Sequence, residues 1–308
     1  MRAAIAHGAL STRTTDAGAA FADVTDAGAL VAVSHGACAF YERDDGGTCA
    51  IHRVLGHDAL PLACRQFPRV SLRDPRGVSI TLSHYCPTAA SLLAAPGAIE
   101  IVADSAAFPA AGEYVGLDAT SSPPPLLRPG VLMDWESWWD AERRAVALFA
   151  RDDRAPGHAL GRLGTAVEHA RRWRPSDGTL RSHVARAFDH AAAVEPSGVL
   201  ATRAWIDARR ALAIDAVPSG VAGANPPPGA RTDAETSPPA LARFLASHAF
   251  ANWTPHLGGD LRAWVRSIEV AYALATVSGV RDADLILRHL VDPREFAARC
   301  ERDPAPTR

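Results

Sequence analysis

The chain has 308 residues, 48% of them apolar, and a formal net charge of −2, which bounds it to one large or two modest globular domains. A charge balance this close to neutral argues against nucleic acid or an anionic membrane surface as a partner. No apolar run reaches the ~18 residues of a membrane span; the nearest, Ile268 to Val280, is interrupted by Glu269.

Residues 1–16 lack the apolar stretch of a signal peptide, so the expected location is cytoplasmic. The first extended signals are Cys38-Ala39-Phe40-Tyr41 and Thr48-Cys49-Ala50-Ile51, which flank a segment ending in Asp44-Asp45-Gly46-Gly47. That composition predicts a hairpin turn, and folding there sets Cys38 near Cys49. Further on, Val78, Ile80 and Leu82 alternate with Ser79, Thr81 and Ser83, the period of a strand. With Arg69-Val70-Ser71-Leu72 ahead of the turn-prone Asp74-Pro75-Arg76-Gly77, they predict a second hairpin centred on Pro75-Arg76. If its arms stay in register, Cys64 comes beside Cys86. Asp118–Gly130 and Val217–Pro239 are rich in proline or glycine with few large apolar residues, and read as linkers. They divide the chain into a cysteine-bearing module, residues 1–117, and two helical regions, residues 131–216 and 240–308.

Helical spacing dominates after the first linker. Trp135, Trp138 and Trp139 open a helix that continues through Val146 and Phe149, with the tryptophans read as core. Leu160, Leu163, Val167, Ala170 and Trp173 follow one helical face, as do Leu180, Val184 and Phe188. Leu261, Trp264, Val265, Ile268 and Tyr272 form another stripe, with Asp260 as N-cap. The last helix has Asp292 as cap, Pro293 at its first position and Glu295 at its third. The expected fold class is α+β: a small cysteine-rich module with two β-hairpins followed by a mainly α-helical region.

Five cysteines are present. Four fall in the pattern Cys38-x10-Cys49-x14-Cys64-x21-Cys86, while Cys300 stands alone and reads as a bystander. In a chain with no export signal, clustered cysteines favour metal or redox chemistry over structural disulfides. Four thiolates suit either tetrahedral zinc or an iron–sulfur cluster, and spacing does not choose between them. The alternative is four small buried apolar side chains, or two disulfides. His35, His52, His57 and His84 lie close in sequence and read as surface or hydrogen-bonded side chains.

The segments Thr48-Cys49-Ala-Ile-His-Arg, Leu60-Pro-Leu-Ala-Cys64-Arg-Gln-Phe-Pro-Arg69 and Leu82-Ser-His-Tyr-Cys86-Pro resemble the bacterial YkgJ-like cysteine-cluster family, described as zinc- or iron-chelating. Among its members they are most similar to the flagellin lysine-N-methylases. The resemblance covers residues 36–94, and His248-Ala-Phe-Ala-Asn-Trp253 is broadly similar to that family's helical tail. It implies a metal centre, an iron–sulfur cluster (or zinc) held by Cys38, Cys49, Cys64 and Cys86. It also implies methyl transfer from S-adenosylmethionine to a protein substrate such as flagellin. The family's opening CxxCxxxCC motif is absent, since no cysteine precedes Cys38. Either the natural chain starts upstream or the ligand set is reduced. No glycine-rich nucleotide loop and no CxxxCxxC motif supports methyl transfer independently.

Arg65 and Arg69 flank the cysteines. They are expected to bind a cofactor, through cluster sulfides or a carboxylate, or to offset thiolate charge. The other readings are a structural zinc module that docks a protein partner, and a metal-chelating protein. The pairs Arg143-Arg144, Arg171-Arg172 and Arg209-Arg210 read as solvated faces.

Overall fold

The break between the two contact units falls between Phe67 and Pro68, inside the predicted module. The computed structural model describes residues 10, 12, 18–25, 28–34, 37–42, 48–103, 106, 108, 114–151, 155–194 and 237–301. His35, the turn 43–47, Arg209, Arg210 and the linker segment 217–236 lie outside the described residues. The fold is α+β, with small sheets first and helices after.

In the first unit, β1 (Phe21–Thr25) pairs antiparallel with β2 (Gly28–Val31), β3 (Val33–Ser34) with β4 (Ala37–Cys38), and β5 (Tyr41–Glu42) with β6 (Thr48–Cys49). Two short helices follow, α1 (Ala50–Leu55) and α2 (Leu62–Gln66). Phe40 and Ile51 centre a small apolar core with Leu10, Ala39 and Ala50, and Cys38 and Cys49 pack against it. Arg53 on α1 donates Nε and Nη2 to Glu42 on β5, at 2.9 and 2.6 Å. This two-point bond ties helix to strand with fixed geometry.

In the second unit, β7 (Arg69–Asp74) and β8 (Gly77–Leu82) form the predicted hairpin. Arg69 lies opposite Leu82 and Asp74 opposite Gly77, the register that the alternation requires. β9 (Gly116–Asp118) adds to β7 in parallel. A Cβ at Gly116 would come within 2.1 Å of the Ser71 carbonyl oxygen, so only glycine permits this approach. The predicted linker Asp118–Gly130 is built into the fold. It carries β10 (Leu126–Arg128), paired with β11 (Val131–Leu132), and Leu127 is fully buried. Two adjacent leucines supply enough apolar surface to fix a segment that its prolines mark as irregular.

Long helices complete this unit: α4 (Trp135–Arg151), α5 (Pro156–Ala170), α6 (Leu180–Ala193), α7 (Pro238–Ala249) and α8 (Leu261–Ser278). A short helix α3 (Pro87–Leu92) precedes them, and α9 (Val280–Leu285), a π-turn at 286–290 and α10 (Pro293–Glu301) close the chain. The predicted caps are present. Asp260 accepts from Ala263 N at 2.9 Å, and Asp292 accepts from Arg294 N and Glu295 N. Of the three tryptophans, Trp138 is core as expected, fully buried and edge-on to Trp264 at 5.0 Å, while Trp135 and Trp139 are half-buried and pack against that core. Arg171 departs from its expectation. Its side chain is largely buried and bonds the capping carboxylate of Asp260, so it locks α5 to α8. Among the described residues, no helix is long and apolar enough to cross a membrane.

His256 stacks on Trp135 and meets Trp138 edge-on, both at 5.9 Å. Among the described residues, neither ring nitrogen has a hydrogen-bond partner. Burial, aided by the Arg76 charge, drives its pKa down to about 4. The unfolded chain therefore binds the extra proton between pH 6.5 and about 4, and this group's contribution to stability is lost as pH falls through that window. His256→Phe is expected to raise stability at pH 7 by about 1 kcal/mol, by removing two buried unmet polar atoms, and to flatten the acid limb. Urea unfolding across pH 4–7 checks both; a steeper acid limb in the variant contradicts them.

Candidate functional site

In the first unit, the predicted thiols are placed by short elements. Cys38 ends β4, opposite Val33, and receives a hydrogen bond from Phe40 N to Sγ at 3.4 Å. Cys49 ends β6, opposite Tyr41. The hairpin therefore forms, but Cys38 stands outside it. Its strand turns back to β3, because Ala39-Phe40 bend into the core instead of extending the arm. Cys64 lies on α2 and is exposed, so the arm of the second hairpin does not run straight back to it. Partial burial, and then the charges of Cys38 and Cys49, push its thiol up. Cys64 thus lies within electrostatic reach of both. All five cysteines are free thiols, so the two-disulfide reading does not describe this structure.

Unbridged thiols are the donors that zinc or an iron–sulfur cluster takes, and a backbone N–H bond to sulfur tunes such a centre. Convergence is a separate matter. Among the described residues, no group of three or more His, Cys, Asp or Glu side chains is arranged to hold a metal ion. Cys86 belongs to the second unit, where it precedes α3 and its carbonyl accepts from Ala90 N. Cys300 is buried in α10, and burial pushes its thiol to about 12, which leaves it inert at neutral pH. Arg65 lies on α2 in the first unit, and Arg69 begins β7 in the second.

The second unit contains a cavity of about 310 Å3. Its wall includes Arg69, His248, Asn252, Trp253, Arg288 and His289. The segment after α7 shapes one side. Ala251 there adopts φ +52°, a left-handed conformation that costs a non-glycine residue about 1 kcal/mol or more. Its N–H donates to the buried Glu142 Oε1 at 3.0 Å, which holds the strained turn in place.

Beneath the cavity lies Asp284, fully buried. Its Oδ2 accepts from Ser83 Oγ at 2.6 Å and Tyr85 N at 3.3 Å; its Oδ1 accepts from Arg288 Nε at 3.0 Å and bonds His248 Nε2 at 3.2 Å. Burial works to raise the pKa of Asp284, but Arg288 and the histidines outweigh it and hold the carboxyl well below the usual range. An ionised carboxylate only accepts, so His248 carries its proton on Nε2. Ser83 spends its one hydrogen on Asp284, so the 2.8 Å contact with His289 Nε2 is a donation by His289. The hydroxyl of Ser83 is therefore tied to an acceptor and faces a histidine donor. That is the reverse of an activated serine nucleophile.

Arg69, read from the sequence as a cofactor-binding residue flanking the cysteines, lines this cavity, as does the segment His248–Trp253, which the sequence marked only as similar to a family's helical tail. Sequence reasoning missed Asp284 and Arg288. Their signal was an Asp and an Arg four residues apart within the apolar stretch Ala283–Leu290. No family model, no curated protein and no solved structure matches this chain.

Proposed function

We propose that the protein binds a metal through cysteine thiolates, with Cys38, Cys49 and Cys64 of the first unit as donors and an iron–sulfur cluster as the favoured occupant. The carrying observation is that Cys38 and Cys49 are unbridged thiols packed against one small core, with Cys64 near enough for their charges to act on it and Cys38 receiving an N–H bond. Such a centre supplies electron transfer or structural cross-linking when bound. A zinc-stabilised module that docks a partner, or a metal-chelating protein, uses the same donors.

Methyl transfer to a protein lysine, with flagellin as the substrate the resemblance implies, is the finer reading, and it rests on that resemblance. The cavity does not favour it as a cofactor site. S-Adenosylmethionine carries a sulfonium and an ammonium, whereas the wall presents two guanidiniums and, among the described residues, no carboxylate. Only the cofactor's own carboxylate finds a match, in Arg69.

The test is the iron, zinc and acid-labile sulfide content of protein purified without oxygen, beside Cys64→Ser. Cys64 is exposed, so the substitution spares the core. Iron with sulfide, lost in the variant, is the expected result. Zinc without sulfide moves the assignment to the structural module. Metal retained in full by Cys64→Ser removes that residue from the ligand set, and Cys86→Ser is the parallel measurement for the fourth predicted donor.

A further inference from the structure

We propose that the cavity of the second unit is a binding site for a small organic carboxylate with an apolar body. Charge is the first reason. Arg69 is exposed at the cavity wall and, among the described residues, its side chain makes no hydrogen bond or ion pair. Arg288 also faces the cavity, with its charge answered from below by Asp284. Among the described residues, no Asp or Glu lines the wall. Burial shifts His248 and His289 below the ordinary imidazole value, and among the described residues Arg69 is the cation of the wall with no ion-pair partner. A guanidinium in a partly apolar cleft selects a planar carboxylate through two parallel hydrogen bonds.

The rest of the wall defines the body of the ligand. Val70, Phe250, Leu287 and Phe296 supply apolar and aromatic surface. Trp253 adds its ring, and its indole Nε1 is buried without a partner among the described residues. An unmet buried donor costs about 1–3 kcal/mol, which a ligand acceptor would recover. Asn252 is held by its own bonds to His248 O and Ser267 Oγ, so this side of the wall is preorganised. The volume of about 310 Å3 lies at the small end of the range for ligand sites, about 300–1,000 Å3. That suits a single aromatic ring or a short alkyl chain bearing a carboxylate.

The site does not depend on the metal proposal, and the experiment keeps the two apart. The full chain, Arg69→Met and Cys64→Ser are titrated calorimetrically with 3-phenylpropanoate, hexanoate, 3-phenylpropanamide, 3-phenylpropylamine and S-adenosylmethionine. The acids are expected to bind at least tenfold more tightly than the amide, and the amine not at all. Arg69→Met should lose at least tenfold for the acids while keeping the wild-type melting temperature, and Cys64→Ser should match the wild type. Equal binding of acid and amide overturns the proposal. So does undiminished acid binding by Arg69→Met, tighter binding of S-adenosylmethionine than of either acid, or failure of both acids to bind.

Discussion

Asp284→Ala is expected to destabilise the second unit by about 3–5 kcal/mol, the usual cost of removing one partner from a buried ion pair. The carboxylate is fully buried and takes four hydrogen bonds, from Ser83, Tyr85, Arg288 and His248. Its removal leaves the Arg288 guanidinium, whose side chain is 14% exposed, without a counter-charge. It also strands the Ser83 hydroxyl and the His248 N–H. These groups come from the segment after β8, from α7 and from the π-turn at 286–290, so the loss falls on the packing of α9 against all three. Asp284→Asn keeps the shape and one acceptor, and should cost less than the alanine. Equilibrium denaturation, with circular dichroism and tryptophan fluorescence as probes, measures both. A change within ±0.5 kcal/mol, the range of ordinary surface substitutions, would show that the network contributes little.

Arg76→Met is the second large effect, at about 3–5 kcal/mol by the same reasoning. Arg76 sits at the tip of the β7–β8 hairpin, with Nη1 2.7 Å from Glu142 Oε2 and Nε 3.2 Å from Asp74 Oδ2. Its guanidinium lies over Trp139 and Phe250 at 5.7 and 5.4 Å. Both carboxylate side chains have no solvent exposure, so one cation serves two buried acids. Burial, partly offset by Arg76, raises Glu142 to about 7.

A carboxyl whose folded pKa is raised binds more protons in the native state than in the unfolded chain. Its contribution is therefore present below the ordinary value near 4.5 and is lost as pH rises through about 7. Without Arg76 the folded value rises further, and Arg76→Met should lose stability more steeply between pH 5 and 8 than the wild type does. Adding Glu142→Gln should flatten that slope. Chemical denaturation at several pH values decides; an unchanged slope in the single variant contradicts the assignment.

The parts of the fold that were legible rest on local signals, periodicity and capping. The alternation at Val78–Ser83 set the hairpin register to the residue, since a one-residue slip would turn its faces over. The caps at Asp260 and Asp292 were legible because a short acceptor side chain ahead of an apolar stripe meets unpaired backbone N–H groups. What escaped depends on contacts distant in sequence. Asp284 reads as an ordinary helical acid until Ser83, 201 positions away, is placed against it. Glu142 looks like a surface residue of α4 until the hairpin tip delivers Arg76. The predicted thiol pairing took straight hairpin arms for granted. Phe40 preferred the small core to an extended arm, and Leu62–Gln66 preferred a helix.

Cys38, Cys49 and Cys64 as thiolate ligands are tested most directly by X-ray absorption at the metal edge of anaerobically purified protein. A first shell dominated by sulfur at about 2.3 Å, diminished in Cys64→Ser, is the predicted result. A shell of nitrogen and oxygen alone, or a spectrum indifferent to Cys64→Ser, Cys49→Ser and Cys38→Ser, would contradict it.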